Sequence, residues 1–432
     1  MAEAVAATLG GEGTLIVEAG TGTGKTYAYL VPALLAGARV IISTGTRHLQ
    51  DQLYQRDLPV VRKALDVPVR VALLKGRGNY PWLYRLQAVE ETGRLGSREQ
   101  VAELHRVRAW STRTRSGDIA EIADVPETSL IWPRVTSTVD NCLGQDCPRI
   151  ADCFLVKARR EALAADVLVI NHHLFCADMA IKETGFAELL PGAEAFILDE
   201  AHQLPEVASH FFGESLGSRQ LGELARDTVV EQARDAADFA DLRRRAEALE
   251  PATNALREAL GQADRRAPWR EVAELPPVRE AVGELSGALD RLREALKEAA
   301  QRGKGLENCH RRGEDLAQRL AALTGVESGP DNVRWFETRG RGFTLSLTPL
   351  DIAPTFRGRM EGQRGAWIFT SATLAVGQGF EHFAARLGLH DYEGLRLDSP
   401  FDFARNTLLY HPPELPDPGS PRHTAALVEA SL

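Results

Sequence analysis

The segment that most constrains this chain is a glycine-rich run near its N-terminus. The short run Leu15 to Val17 leads into Ala19-Gly20-Thr21-Gly22-Thr23-Gly24-Lys25-Thr26, and helix-forming residues follow from Tyr27 to Ala36. This order predicts a strand, a tight loop and a helix. Glycine lets successive backbone N–H groups approach an anion, and the start of a helix carries partial positive charge. We therefore predict a Walker A loop in which Ala19 to Thr26 bind ATP, although the strict pattern has glycine in place of Ala19.

A second motif supplies the acidic groups that such a loop requires. The apolar run Ala195 to Leu198 ends in Asp199-Glu200-Ala201-His202. Lys25 would contact the β- and γ-phosphates, and Thr26 and Asp199 would hold Mg²⁺. Glu200 would orient and deprotonate the water that attacks the γ-phosphate. A flexible turn and an acidic helix start explain neither Lys25 nor the pairing of the two motifs, so we predict a nucleotide-hydrolysing site with Lys25, Asp199 and Glu200 as its catalytic residues.

Strand-like and helical segments alternate on both sides of these motifs. This alternation predicts an α/β fold with a doubly wound parallel sheet, whose ligands gather at the carboxyl ends of the strands. A short helix is expected over residues 1–9, and strands are expected at residues 15–18, 39–43, 69–74, 167–171, 195–199, 333–338, 343–347, 366–370 and 407–410.

Composition narrows the class of protein. The 432 residues are 44% hydrophobic, which suffices for two or three domains. No apolar run approaches the roughly 20 residues that cross a bilayer, and no export signal is visible, so we expect a cytoplasmic protein with no membrane contact. The net charge of −9 argues against a broadly basic surface but leaves room for a local nucleic-acid channel.

Hydroxyl and basic residues follow two of the predicted strands. Thr44, Thr46 and Arg47 come after residues 39–43, and they either bind a nucleic-acid phosphate or form only a helix cap beside a solvated arginine. Ser371 and Thr373 come after residues 366–370. They either couple the γ-phosphate site to a bound strand or form a plain strand-to-helix cap.

Two long segments interrupt the sheet pattern. Residues 76–165 are polar and partly helical, and they contain Cys142, Cys147 and Cys153, which in a chain without an export signal point to metal or cluster ligation before disulfides. Residues 216–330 are rich in Ala, Leu, Glu and Arg at helical spacing and predict an antiparallel helical insert. Cys176 and Cys309 are interpreted as a buried thiol and a helix residue.

Taken in order, these motifs resemble the DinG/YoaA branch of the XPD-like superfamily-two helicases. The resemblance rests on both motifs above and on Lys75-Gly76-Arg77-Gly78-Asn79-Tyr80, Asn171-His172-His173-Leu174 and Thr370-Ser371-Ala372-Thr373-Leu374. It implies an ATP- and Mg²⁺-dependent motor that moves 5′ to 3′ on single-stranded and fork-like DNA, with other replication or repair proteins as partners. It also implies a RecA-like motor domain over residues 1–75, 166–215 and 331–432, an iron–sulfur insert over 76–165 and an all-α arch over 216–330.

The same resemblance assigns residue roles. Thr44, Thr46 and Arg47 become candidates for the DNA backbone, and His202 is expected to couple ATP to DNA together with Ser371 and Thr373. Cys142, Cys147 and Cys153 match three of the four cysteines of a [4Fe–4S] cluster, and Trp82 stands where the first would fall. Since full ligation normally takes four thiolates, we predict a labile or altered cluster.

The sequence ends soon after residues 399–403, without a segment that resembles the family's second motor domain, and it begins just after the expected place of the family's glutamine motif. We therefore expect a fragment that binds nucleotide and hydrolyses it slowly, because an arginine from a second domain contributes about 10³-fold or more in related enzymes. Two other hypotheses are a degenerate helicase that binds ATP and single-stranded DNA without turnover and, more distantly, a metabolic P-loop kinase.

Overall fold

A computed structural model describes residues 1–93, 95–182, 189–325, 331–410 and 412–431. The strands of this part of the chain are β1 (Thr14–Ala19), β2 (Val40–Thr44), β3 (Val71–Leu73), β4 (Val167–Asn171), β5 (Ala195–Asp199), β6 (Glu214–Gly217), β7 (Arg266–Pro268), β8 (Asn332–Arg339), β9 (Gly342–Pro349), β10 (Ala366–Ser371) and β11 (Glu393–Leu397).

The helices are α1 (Ala2–Leu9), α2 (Lys25–Leu35), α3 (Arg47–Gln52), α4 (Leu58–Leu65), α5 (Leu83–Thr92), α6 (Arg98–Ser111), α7 (Trp132–Val135), α8 (Phe154–Ala164), α9 (His172–Lys182), α10 (Leu204–Phe211), α11 (Ser218–Asp235), α12 (Ala240–Glu247), α13 (Leu249–Ala259), α14 (Pro276–Ala299), α15 (Lys304–Thr324), α16 (Ala353–Glu361), α17 (Glu381–Leu387), α18 (Phe403–Asn406) and α19 (His423–Ser431). A π-helical stretch, Leu53–Asp57, joins α3 to α4. None of the described helices is both long and apolar enough to cross a lipid bilayer.

A seven-stranded sheet forms the centre of the molecule. Its strand order is β11-β1-β10-β5-β2-β4-β3, and every neighbouring pair is parallel. Successive side chains of one strand enter different cores: Ile16 lies in one cluster, whereas Leu15 and Val17 lie in the cluster on the opposite face. Side chains alternate across a strand, so these two clusters lie on opposite faces of the sheet, and helices cover both faces. The predicted doubly wound parallel sheet is confirmed.

A second core lies outside this sheet. Helices α11 to α15 pack with a four-stranded antiparallel sheet of order β6-β9-β8-β7. The sequence had predicted only helices for residues 216–330 and had placed residues 333–347 with the motor segments. The structure differs, because hairpin β8–β9 pairs with β6 and β7, which are too short to stand out in a helical context. The predicted end of this insert, at residue 330, lies outside the described residues.

Residues 76–165 form a third body with its own small core. Side chains from α5, α6 and α7 make that core together with loop residues such as Val125 and Ile131. Helix α8 instead packs on the main sheet through Phe154 and Ala162. The buried ammonium of Lys75 holds this body to the sheet, since it lies 2.7 Å from Asp51 Oδ1 on α3 and 2.6 Å from Asp118 Oδ2.

The C-terminal part departs from the sequence prediction in one place. The strand predicted at residues 407–410 is wrong: these residues have no regular secondary structure and join neither described sheet, and Leu408 and Leu409 are 87% and 91% exposed. The strand that completes the main sheet is β11, ten residues earlier, which pairs with β1. Its sequence, Glu-Gly-Leu-Arg-Leu, has glycine and charge where a strand pattern needs apolar residues, as an exposed edge strand tolerates.

Candidate nucleotide-binding site

The two sequence motifs meet at the carboxyl edge of the main sheet. Strand β1 leads into the glycine loop, β5 ends at Asp199, and β10 lies between them. Lys25 Nζ lies 2.9 Å from Glu200 Oε1 and 3.6 Å from Asp199 Oδ1. The structure therefore brings together all three residues that were predicted to be catalytic, although Lys25 and Glu200 are 175 residues apart in sequence.

The glycine loop has the backbone conformation that its sequence predicts. Gly22 and Gly24 have φ values of +89° and +76°, in the left-handed region that side chains disfavour. Gly24 is the N-cap of α2, so the N–H groups of the first turn have no partners within the helix. Thr23 bridges the loop, because its hydroxyl donates to the carbonyl of Gly20 at 2.8 Å. The loop is thus shaped to receive an anion at the start of α2.

Asp199 is a buried carboxylate, and only one of its two oxygens accepts a hydrogen bond. Its Oδ2 accepts a hydrogen bond from Tyr29 at 3.1 Å, whereas its buried Oδ1 has no hydrogen-bond partner. Burial raises the pKa of Asp199 to about 6, and burial together with the Asp199 charge raises the pKa of Tyr29 well above its ordinary value. A carboxylate oxygen that has no hydrogen bond and lies near Thr26 fits Mg²⁺, which prefers oxygen ligands and is held mainly by a nucleotide's phosphates.

The described residues offer no all-protein metal site of three or more His, Cys, Asp or Glu side chains. Thr26 and Asp199 would hold Mg²⁺ together with phosphate oxygens. The ion would offset the negative charge of the phosphates.

Glu200 is held in an unusual backbone conformation by a small polar network. Its φ of +57° is in the left-handed region, which costs a non-glycine residue roughly 1–3 kcal/mol. Ser371 Oγ donates to Glu200 Oε2 at 3.2 Å and lies 2.8 Å from His202 Nδ1. Thr373 is exposed, and its backbone N–H donates to Ser371 Oγ at 3.4 Å. The structure therefore links Glu200 to His202 through Ser371, and Thr373 contacts this network only through its backbone N–H.

The three residues predicted to contact DNA differ in exposure. Thr44 is buried, and its hydroxyl donates to the carbonyl of Thr46 at 3.2 Å. Thr46 is exposed and caps α3, where its hydroxyl accepts from the N–H of Leu49. Arg47 is also exposed and contacts Asn79 Oδ1 at 3.1 Å. Thr46 and Arg47 are thus accessible to a ligand, whereas Thr44 shapes the turn beneath them.

Comparison with known proteins agrees with this geometry. A sequence profile described as DEAD/DEAH box helicase matches residues 2–81. The ATP-dependent DNA helicase YoaA of Escherichia coli is 46% identical over 417 residues, which cover 96% of this chain and 65% of that protein. The ATP-dependent helicase DinG of Mycobacterium tuberculosis H37Rv is 32% identical over 94% of this chain and 64% of its own length.

The chain belongs to the DinG/YoaA family. It spans just under two thirds of the length of these relatives. A solved structure titled "Truncated XPD" has a TM-score of 0.45 and 18% identity, and it covers 92% of this chain and 99% of that one.

In the part of the chain that the structure describes, the cysteines are not gathered into the cluster that the resemblance to this family implies. Cys147 is buried, Cys142 and Cys153 are half-buried, and none is arranged with other described ligands to hold a metal. Trp82 packs its ring on Tyr84, with 5.4 Å between centroids, and an indole has no lone pair to give a metal. These residues do not fit a four-thiolate cluster, and the function proposed below does not depend on one. A labile or altered cluster stays a prediction.

Sequence reasoning missed several residues that shape this site. Tyr29 lies one turn after Lys25 on α2, so helical spacing places it on the same face as Lys25, where it donates to Asp199. Buried His172 shares a 2.8 Å hydrogen bond with Ser43 at the end of β2, and burial lowers the pKa of His172 to about 4. Glu18 accepts hydrogen bonds from the backbone of Leu374 and Ala375, both at 2.7 Å. No spacing rule in the sequence indicates the last two contacts.

Proposed function

We propose that this chain is the nucleotide-binding motor segment of an ATP-driven DNA helicase that moves 5′ to 3′ on single-stranded and fork-like DNA. The observation that carries the proposal is the position of Lys25 between Asp199 and Glu200 at the mouth of the glycine loop. Family membership and the names of the relatives support the DNA substrate. The direction of movement rests on the resemblance alone.

The proposed roles follow from the contacts. Lys25 exchanges its carboxylate partners for the β- and γ-phosphates when a nucleotide binds, because a triphosphate carries more negative charge than Glu200. Asp199 and Thr26 hold Mg²⁺. Glu200, freed from Lys25, accepts a proton from the attacking water. The strained backbone of Glu200 keeps the carboxylate pointed at the loop.

The link to DNA is proposed to run through two neighbouring contacts. Ser371 bridges Glu200 and His202, so loss of the γ-phosphate alters a hydrogen bond that the segment after β10 can sense. Gly45 lies between Thr44 and Thr46, and a Cβ built on it would lie 2.5 Å from Gln203 Oε1, just beyond the acidic motif. The turn that presents Thr46 and Arg47 is therefore in direct contact with the segment that follows Glu200.

A second candidate function is binding without turnover. The observation that favours it is Trp82, an aromatic residue that packs on Tyr84 at the position where the resemblance implies the first cysteine ligand. Such a protein would bind ATP and single-stranded DNA, and its hydrolysis would not respond to DNA.

ATP hydrolysis with and without single-stranded DNA separates the two candidates. We expect single-stranded DNA to raise the rate of ATP hydrolysis by the unaltered protein, and Glu200→Gln to abolish this rise. Glu206→Gln, a change at an exposed carboxylate on α10, is the matched control and should leave the rate unchanged. Nucleotide and DNA binding without stimulated hydrolysis would favour the second candidate. Binding of neither ligand would overturn both, and unwinding of duplexes with a 5′ or a 3′ tail tests the direction.

A further inference from the structure

A segment nearly 380 residues after the glycine loop packs against that loop. Residues 398–403, here named the strap, follow β11 and lie on the loop. Gly20 donates its N–H to the carbonyl of Leu397 at 2.9 Å. Ser399 donates its hydroxyl to the carbonyl of Thr21 at 2.7 Å and accepts the N–H of Phe401 at 3.2 Å. The chain is thus fixed to the loop by Leu397, just before the strap, and by Ser399, and the hydrogen bond from Phe401 to Ser399 holds the strap's own turn.

These hydrogen bonds place an aromatic ring on the tip of the loop. A Cβ built on Gly22 would lie only 2.5 Å from Phe401 Cε2, so the ring lies directly against the backbone of this glycine. The same ring is 53% exposed, and its neighbour Phe403, 6.0 Å away between centroids, is 54% exposed. The loop that is to bind phosphates therefore has an aromatic ring beside it that is about half exposed to solvent.

An exposed phenylalanine pair at this position indicates a ligand with a flat apolar face. Aromatic rings bind nucleobases through their faces, and alanine substitution of such rings typically weakens binding of each base by ~1–3 kcal/mol. A nucleotide whose phosphates lie on the amides of Gly22 to Thr26 carries its base within one nucleotide's length of Phe401.

We propose that Phe401 is the stacking platform for the base of the nucleotide that the glycine loop binds. The inference rests on the proposed function, because it takes the loop as the phosphate site. The strap supplies the platform from a part of the sequence far from the Walker A motif. Since contact is through the ring face, Phe401 contributes equally to binding of adenine and guanine nucleotides.

A purely structural role of Phe401 makes a different prediction. If the ring only covers Gly22, its removal loosens the loop and weakens binding of every phosphate ligand. If the ring stacks on a base, its removal weakens binding of nucleotides and spares a phosphate chain that has no base. Inorganic tripolyphosphate is such a chain, so it separates the two roles.

Calorimetric titration with MgATP, MgGTP and Mg-tripolyphosphate tests the proposal. Phe401→Leu keeps an apolar side chain on Gly22 but removes the aromatic face. We expect this variant to bind MgATP and MgGTP about 5- to 100-fold more weakly and to bind tripolyphosphate within twofold of the unaltered protein. Phe401→Trp should restore nucleotide binding. Phe403→Leu is the matched control, because Phe403 has similar exposure and is not among the atoms against Gly22.

Three results would overturn the inference: equal weakening of all three ligands, no weakening of any, or weakening of MgATP alone. The first assigns Phe401 to loop support, and the last replaces face stacking with recognition of the base edge. Failure of the unaltered protein to bind any of the three ligands would instead refute the proposed function. The two failures are therefore distinguishable in one set of titrations.

Discussion

Asp227 is the residue whose removal should most weaken the association between the cysteine-containing body and the helical core. Its Oδ1 accepts from Arg85 Nη2 at 2.6 Å, and its Oδ2 accepts from Arg312 Nη1 at 2.7 Å. Arg85 lies on α5, whereas the other two lie on α11 and α15. Burial acts to raise the pKa of Asp227, but the charges of both arginines outweigh it and hold the pKa below its ordinary value. The carboxylate is therefore ionised and shared between two bodies.

Asp227→Ala should lower the free energy of unfolding by about 3–5 kcal/mol, the range for removing one partner of a buried ion pair. The side chains of Arg85 and Arg312 are only 9% and 5% exposed, so water cannot replace the lost carboxylate. Asp227→Asn keeps the shape and one acceptor oxygen but loses the charge, and we expect an intermediate loss.

Urea denaturation followed by far-ultraviolet circular dichroism and tryptophan fluorescence measures this effect. The two signals are needed together because the separate bodies need not unfold in one step. Asp241→Ala is the control, since Asp241 pairs with Arg244 and Arg245 on an exposed helix face and should leave the midpoint unchanged. A loss below about 1 kcal/mol for Asp227→Ala would refute the reasoning that this contact is desolvated.

Three further predictions follow from individual contacts. Glu200→Gln should retain MgATP binding but lower the hydrolysis rate by about 10²- to 10⁴-fold, as expected for loss of a general base; loss of binding as well would contradict this role. Arg47→Ala should weaken binding of all DNA sequences alike and reduce the salt slope by about 1, and an unchanged slope would exclude a phosphate contact. Burial raises the pKa of Glu231 from 4.5 to about 6, although Tyr84 donates to it at 2.9 Å. The folded state therefore binds this proton more tightly than the unfolded state, so up to about 2 kcal/mol of the free energy of unfolding is lost as pH rises from 4.5 to 6. Glu231→Gln should remove this pH dependence. Identical profiles of stability against pH for the variant and the unaltered protein would refute the prediction.

The main sheet and the centre of the site were predictable because each follows from local sequence. Glycines with a lysine and a threonine at fixed spacing require a loop before a helix, and an apolar run ending in Asp199 and Glu200 requires a strand. Parallel strands bring their carboxyl ends to one edge, so the contact between Lys25 and Glu200 followed from the fold class.

The remaining features depend on long-range pairing that local patterns do not encode. Hairpin β8–β9 has the alternation of any antiparallel strand pair, and nothing in it specifies β6 and β7 as partners. Strand β11 is stabilised by its neighbour β1 and not by its own propensity. The strap resembles a polar connection until Gly22 and Phe401 are seen in contact, because no period in the sequence relates the two.

Binding of MgATP to Lys25→Ala, compared with the unaltered protein by calorimetric titration, tests the central claim most directly. Lys25 has no described partner but the two carboxylates that face the loop, whereas Lys63 on α4 is exposed and serves as the control position. We expect Lys25→Ala to weaken binding by about 10- to 100-fold, the value of a charge-assisted hydrogen bond, and Lys63→Ala to bind normally. Full MgATP affinity in Lys25→Ala would contradict the placement of the phosphates on this loop.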